Sequence, residues 1–197
     1  MPPKAKFTRD QIIQAGLDIV RKNGMEALSA RALGTELGSS ARPIFTVFQN
    51  MEEVQDEVVK SAKLLYAGYV RKGLEQDLAF KGVGTQYILF AMQEPKLFQL
   101  LFMSEQEQAP PVIHVLSALD DNYKDILLSV QEGYHLSGDK AEQLYRHLWI
   151  YTHGIAVLCA TNMCVFTPEE ISSMMVQVFR GMLREIKQEN NNGQQQQ

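Results

Sequence analysis

Arg42 follows three small residues, Ser39, Ser40 and Ala41, and precedes Pro43. A guanidinium in that setting suits recognition of a base edge. Small side chains let a helix N-terminus come close, the arginine fork can pair with guanine O6 and N7, and N-terminal amides hold phosphate. Arg31, two residues after Ser29, offers a second guanidinium, with Glu36 and Asp18 as competing partners inside the chain. The other reactive side chains do not assemble into a catalytic pattern. No glycine-rich phosphate loop, GxSxG elbow or HExxH occurs. His114, His135, His147 and His153 are scattered. His147 and His153, six apart, fall off a common helix face, and none of the four sits in a Cys/His cluster with metal-ligand spacing. Asp120-Asp121 and Glu169-Glu170 fall at loops or helix starts, where solvation or capping explains them. The expectation is a protein that is not an enzyme and needs neither cofactor nor metal.

Placing Arg31 and Arg42 requires helices, and the sequence supplies helix signals almost throughout. Thr8 with Gln11 is a capping box opening a helix that carries Ile12, Ile13, Leu17 and Val20 and stops at Asn23-Gly24. Ser29 caps a short second helix through Leu33 and Leu37 to Gly38. Ser39 or Ser40 is expected to cap a third, with Pro43 in its first turn and Ile44 and Phe48 on its apolar side. Three helices with a tight Gly38-Ser39-Ser40 connection describe a helix-turn-helix. Asn50 with Glu53 opens a long helix to about Leu74. Further helices are predicted at about 77–94, 95–104, 112–136, 139–163 and 168–189. The last starts at Thr167-Pro168-Glu169-Glu170, an N-cap with proline at N1 and an acidic first turn. No alternating apolar run asks to be a strand. The fold class is all-α, with about nine helices: a DNA-binding head at 1–50, a body at 51–189, and a polar, disordered tail at 190–197.

Charge divides along the same line. Residues 1–50 hold seven Lys/Arg against four Asp/Glu, while the remainder is acidic and brings the whole chain to −4. A basic head on an acidic body is the distribution of a nucleic-acid binder with a separate domain that does not touch DNA. Lys4, Lys6 and Arg9 are placed to form a basic arm along the phosphate backbone. Cys159 and Cys164 read as free thiols in a reducing compartment, with oxidation of either as a minor sensing route. From Leu148 to Pro168 there is no acidic or basic residue, a length that could span a bilayer. His153, Asn162, Gly154 and three threonines favour burial in protein instead. With no signal-peptide-like run at Met1-Pro2-Pro3-Lys4, the expected setting is the cytoplasm, without membrane contact.

Residues 8–58 resemble the tetracycline-repressor (TetR) family of regulators. The resemblance rests on the run from Ile12 to Gly38 with Ala15, Gly24, the Leu28-Ser29 helix start and the Leu33/Leu37-Gly38 helix. It continues through Pro43-Ile44-Phe45-Thr46-Val47-Phe48 to Val54. In the body, Pro95-Lys96-Leu97-Phe98 sits in a commonly seen place, and Trp149 with His153-Gly154 is similar to a Trp-His-Gly pattern of one subgroup. Two departures stand out. Phe45 replaces a usual Tyr, and Met51 a usual Lys, both of which often contact phosphate, and each lost contact flattens the salt dependence by about one log-log unit.

What the resemblance implies is a dimeric, ligand-responsive regulator, a repressor leaving a palindromic double-stranded operator when an effector binds. Residues expected to meet DNA are Ser29, Arg31, Ser39, Ser40, Ala41, Arg42, Phe45, Thr46 and Asn50. The homodimer would form through helices at about 139–163 and 168–189. The uncharged length of the first, and Ile171, Met174, Met175, Val178, Phe179, Met182 and Leu183 on the second, exceed what one core stripe needs. An apolar or aromatic effector would lie among Phe90, Phe102, Tyr123, Tyr134, Trp149 and His153. Phe45 and Met51 also motivate an alternative, a dimeric ligand-binding or protein-interaction module on the same scaffold that has lost sequence-specific DNA binding.

Overall fold

Thr8 closes the capping box: its Oγ1 accepts the Gln11 N–H at 3.2 Å, and Gln11 Oε1 accepts the Thr8 N–H at 2.9 Å. The structure is a computed structural model that describes residues 6–106 and 108–194, with side chains through 188. In chain order the helices are α1 (Arg9–Asn23), α2 (Ala30–Glu36), α3 (Met51–Leu74), α4 (Ala79–Gln93) and α5 (Pro95–Phe102). They continue with α6 (Val115–Leu119), α7 (Tyr123–Tyr134), α8 (Gly138–Ala160) and α9 (Pro168–Gln194). No strand occurs among the described residues, so the fold is all-α.

Two units form. One comprises Met1–Ala67 and Gln93–Glu105, the other Gly68–Met92 and Gln106–Gln197. In the first, α1, α2, the start of α3 and α5 bury Ile12, Val20, Leu33, Ile44, Phe48, Val54, Leu97 and Phe98. Each large apolar side chain so buried contributes about 1.5–3 kcal/mol. In the second, the apolar stripe of α8 (Leu144, Tyr145, Leu148, Ile155, Ala156) packs with Val83, Tyr87, Phe90, Ile126 and Val130 in that unit's core. The corner from α3 into α4 depends on two glycines. A Cβ on Gly73 would lie 2.6 Å from the Val83 backbone, and one on Gly82 would strike the Gly73 carbonyl, so the two backbones cross in contact.

Four elements differ from the sequence reading. The expected third helix from Ser39 or Ser40 is a single 3-10 turn at Ile44–Thr46. Pro43 disfavours helical backbone at Arg42 before it, and the Asn50 cap of α3 leaves too few residues after it for a full helix. The helix expected at 112–136 is broken into α6 and α7, with a 3-10 turn at Val112–His114 ahead of them. The break lies at Asp120, whose buried carboxylate accepts the Asn122 N–H at 2.8 Å and the Asn122 Nδ2–H at 2.9 Å. Such a side-chain turn competes with the helix ladder. α9 continues to Gln194, through most of the stretch expected to be a disordered tail; residues 195–197 lie outside the described residues. The division expected at 50 does not coincide with the units either, because the first unit takes in α3 as far as Ala67 and all of α5.

Candidate functional site

In the N-terminal unit, Ser29 caps α2 by accepting the Ala32 N–H at 3.2 Å, which places Arg31 in the first turn. Gly34 lets the following turn fold back on α2. A Cβ there would sit 3.0 Å from Ser39 O, the Ser40 carbonyl carbon and Ala41 N, and the Ser39 N–H donates to Gly34 O at 2.7 Å. Gly38 makes the reversal at φ +61°. The small residues Ser39, Ser40 and Ala41 therefore pack as backbone against backbone, and Arg42 is left exposed at the rim of the turn.

The fate of each basic residue is informative. Arg9, expected in a backbone-tracking arm, is instead held inside the unit. It donates to Glu53 at 2.9 Å, lies 3.5 Å from Glu57, and its guanidinium stacks 4.3 Å from the Phe48 ring centroid. The Glu53 carboxyl is held low by the Gln49 N–H and then by Arg9, and the Arg9 guanidinium is correspondingly raised by Glu53. Arg21 pairs with Glu94 at 2.7 Å and Asp18 at 3.3 Å, and Lys22 with Glu36 at 3.7 Å. Asp18 and Glu36 are thus engaged by other cations, and neither takes Arg31. Arg31 and Arg42 are exposed and have no ion-pair partner among the described residues. Lys6 donates to Ser39 Oγ at 2.9 Å, and Lys4 lies outside the described residues.

The other expected DNA residues divide by the work they already do. Thr46 Oγ1 donates to Pro43 O at 2.6 Å, locking the 3-10 turn. Asn50 Oδ1 accepts the Glu53 N–H at 2.8 Å as the α3 cap. The reciprocal half of the box goes to the preceding residue, where Glu53 Oε2 accepts the Gln49 N–H at 2.7 Å. Phe45 is 44% exposed, whereas Phe48 is core.

In the second unit the spacing of four on α8 stacks Trp149 on His153, with ring centroids 4.9 Å apart and planes at 17°. The Tyr87 hydroxyl from α4 meets His153 Nδ1 at 2.9 Å, and the Trp149 indole N–H hydrogen-bonds Tyr87 in turn. An indole only donates, so Tyr87 accepts from Trp149, and its hydroxyl shares a second hydrogen bond with His153 Nδ1. Burial pushes His153 below its ordinary range, which favours the neutral ring, and pushes Tyr87 well up. Tyr123 stacks on Tyr145 at 6.0 Å, Phe80 meets Tyr145 at 5.6 Å and Tyr134 at 6.3 Å, and Tyr134 meets Phe179 at 4.9 Å.

Trp149 and His153 therefore share one aromatic group with Tyr87, and Tyr123 and Tyr134 fall in a second, built on Tyr145, Phe80 and Phe179; all four expected residues are half-buried. Phe90 is buried against Tyr69 at 5.2 Å, and Phe102 belongs to the first unit, against Tyr66 and Phe98. The sequence reading missed Tyr145, Tyr87 and Asp120. Tyr145 Oη is buried without a hydrogen-bond partner among the described residues, and burial and then the Asp120 carboxylate push its pKa well up. Tyr145 and Trp149 are four apart on α8, the one signal that could have joined it to the expected residues.

No helix among the described residues is long and apolar enough to cross a membrane. No curated protein matches the chain. The family described as tetracyclin repressor-like, C-terminal domain, matches residues 80–179. Because that match covers half of the sequence and falls on α4 to α9, the chain belongs to the tetracycline repressor-like family of transcription regulators.

Proposed function

We propose that this regulator is a homodimer whose N-terminal heads read a palindromic DNA operator, and that a small molecule bound in the second unit releases it, making it a repressor. The observation that carries the DNA reading is the sorting of charge in the head. Arg9, Arg21 and Lys22 are committed to carboxylates, while Arg31 and Arg42 are exposed and unpaired among the described residues, beside a turn of small residues. Two guanidiniums left unpaired next to an approachable turn suit a phosphate or a guanine edge.

Dimerisation is supported by what α8 and α9 leave open. Ile150 is 48% exposed, and a Cβ on Gly154, one turn on, would meet nothing within 4 Å. Among the described side chains of α9 only Ile186 is buried; Met174, Val178, Phe179, Met182 and Leu183 remain part-exposed in the single chain. The effector reading is supported by the aromatic groups and by the Tyr145 hydroxyl, since an unmet buried hydroxyl costs about 1–3 kcal/mol.

A second reading, a ligand-binding scaffold without sequence-specific DNA contact, is favoured by the shortness of the Ile44–Thr46 turn and by the Thr46 hydroxyl being spent on Pro43. Selection of bound duplexes from a random pool separates the two. The proposal expects a recovered palindrome whose binding falls at least tenfold in Arg31→Ala and Arg42→Ala. Failure to enrich any duplex at low salt sinks it and favours the second reading.

A further inference from the structure

The second unit carries an open groove of about 500 Å³ between the α3–α4 corner and α7. That volume lies within the range of small-molecule sites. One wall comes from Leu74, Asp77, Leu78 and Phe80. The other is a single face of α7, where Asp125, Leu128 and Glu132 recur at helical spacing and Tyr134 closes the end. Gly73 and Gly82, crossing in contact behind Asp77 and Leu78, fix the first wall.

The lining has an unusual pairing of chemistries. Leu78 is 59% and Leu128 49% exposed, so an apolar surface is open to any occupant. Asp77, Asp125 and Glu132 supply three carboxylates, and no lysine, arginine or histidine lines the groove among the described residues. None of the three has an ion pair or hydrogen bond among the described residues, whereas five carboxylates of the first unit, Asp18, Glu36, Glu53, Glu57 and Glu94, are paired. The three are not grouped closely enough to hold a metal ion, since the described residues contain no such cluster. Unpaired negative charge spread around an apolar and aromatic cavity is complementary to a cation that is itself apolar over most of its surface. The rings of Phe80 and Tyr134 can add cation–π attraction.

We propose that this groove is a binding site for a small organic cation with an apolar or aromatic body, and that the effector belongs to that class. The second clause rests on the ligand-responsive reading above; the binding site does not. The groove is joined through shared rings to the aromatic group around Tyr145, because Phe80 lines the groove and packs on Tyr145, and Tyr134 lines it and packs on Phe179.

The test is calorimetric titration of the full chain with three probes of one shape: para-tert-butylbenzylammonium, the corresponding neutral benzyl alcohol, and the corresponding benzoate. Binding of the ammonium at least about tenfold tighter than the alcohol, with the benzoate weakest, is expected. Asp77→Asn, Asp125→Asn and Glu132→Gln, near-isosteric and on exposed side chains, should each weaken the ammonium about two- to fivefold and leave the alcohol unchanged. Equal binding of the three probes, no binding of the ammonium, or an unaltered affinity in the triple variant would overturn the site. Operator-duplex affinity measured with and without the ammonium decides the effector clause separately. Ammonium binding that leaves duplex affinity unchanged keeps the site and removes the clause, whereas a chain that binds no duplex fails the regulator reading while the calorimetry still decides the groove.

Discussion

His153 shows how one residue's surroundings fix its chemistry. Its Nδ1 hydrogen-bonds the Tyr87 hydroxyl, Trp149 covers its face, and burial holds its pKa below the ordinary 6.5. The folded ring resists a proton that the unfolded chain accepts, so stability is full above about pH 6.5 and declines as pH falls from there toward the depressed folded value. His114, His135 and His147 are exposed, which leaves His153 as the histidine whose environment changes most on folding. The thermal midpoint should therefore fall by a few degrees between pH 7.5 and 5.5, and His153→Asn should flatten most of that fall; an equal fall in the variant would remove the assignment. The pairing of Trp149 with His153 was legible in the sequence from a spacing of four. Tyr87 was not, because it lies 66 residues away on another helix and carries no local signal.

Helix starts were the most legible elements, since capping is a local bargain between neighbours. Thr8 with Gln11 and Thr167 with Glu170 both form their reciprocal hydrogen bonds, and the Glu94-Pro95 split separates α4 from α5. What escaped notice depends on where a side chain ends up. The break after α6 requires the Asp120 carboxylate to turn inward to Asn122, and the missing third helix reflects competition between Pro43 and the Asn50 cap over too short a segment. Asn50 tests that last point, because it is expected both as the α3 cap and on DNA, and the structure forms the cap. Asn50→Ala should cost about 1 kcal/mol, seen as a midpoint roughly 2–4 °C lower. Asn50→Asp keeps an acceptor at the cap and should leave the midpoint near wild type. If Asn50 also faces phosphate, the Asp variant alone should weaken duplex binding more than its stability change explains.

At the scale of the molecule, the net basic charge of the head overstates what it can offer to DNA. Of the seven basic residues in 1–50, Arg9, Arg21 and Lys22 are neutralised within the unit and Lys4 lies outside the described residues, so Arg31 and Arg42, with Lys6 on Ser39, are the described cations left to face outward. Phe45 and Met51 add no charge where a phosphate contact would have been expected. In the proposed dimer, three such cations on each of two heads set the counterions released, with Lys4 able to add one more per head. At about 0.9 per phosphate, log affinity should fall against log salt with a slope of about −5. Arg31→Ala or Arg42→Ala removes one contact per head and should bring that slope to about −3.5, whereas Arg9→Gln should lower stability through Glu53 and Glu57 and leave the slope where it was. A slope much steeper than about −7, the value with Lys4 also counted on each head, would mean that cations now paired with carboxylates are released on binding. A slope near zero would mean that the heads do not track a phosphate backbone at all, and the small-molecule body would then be the whole of the function.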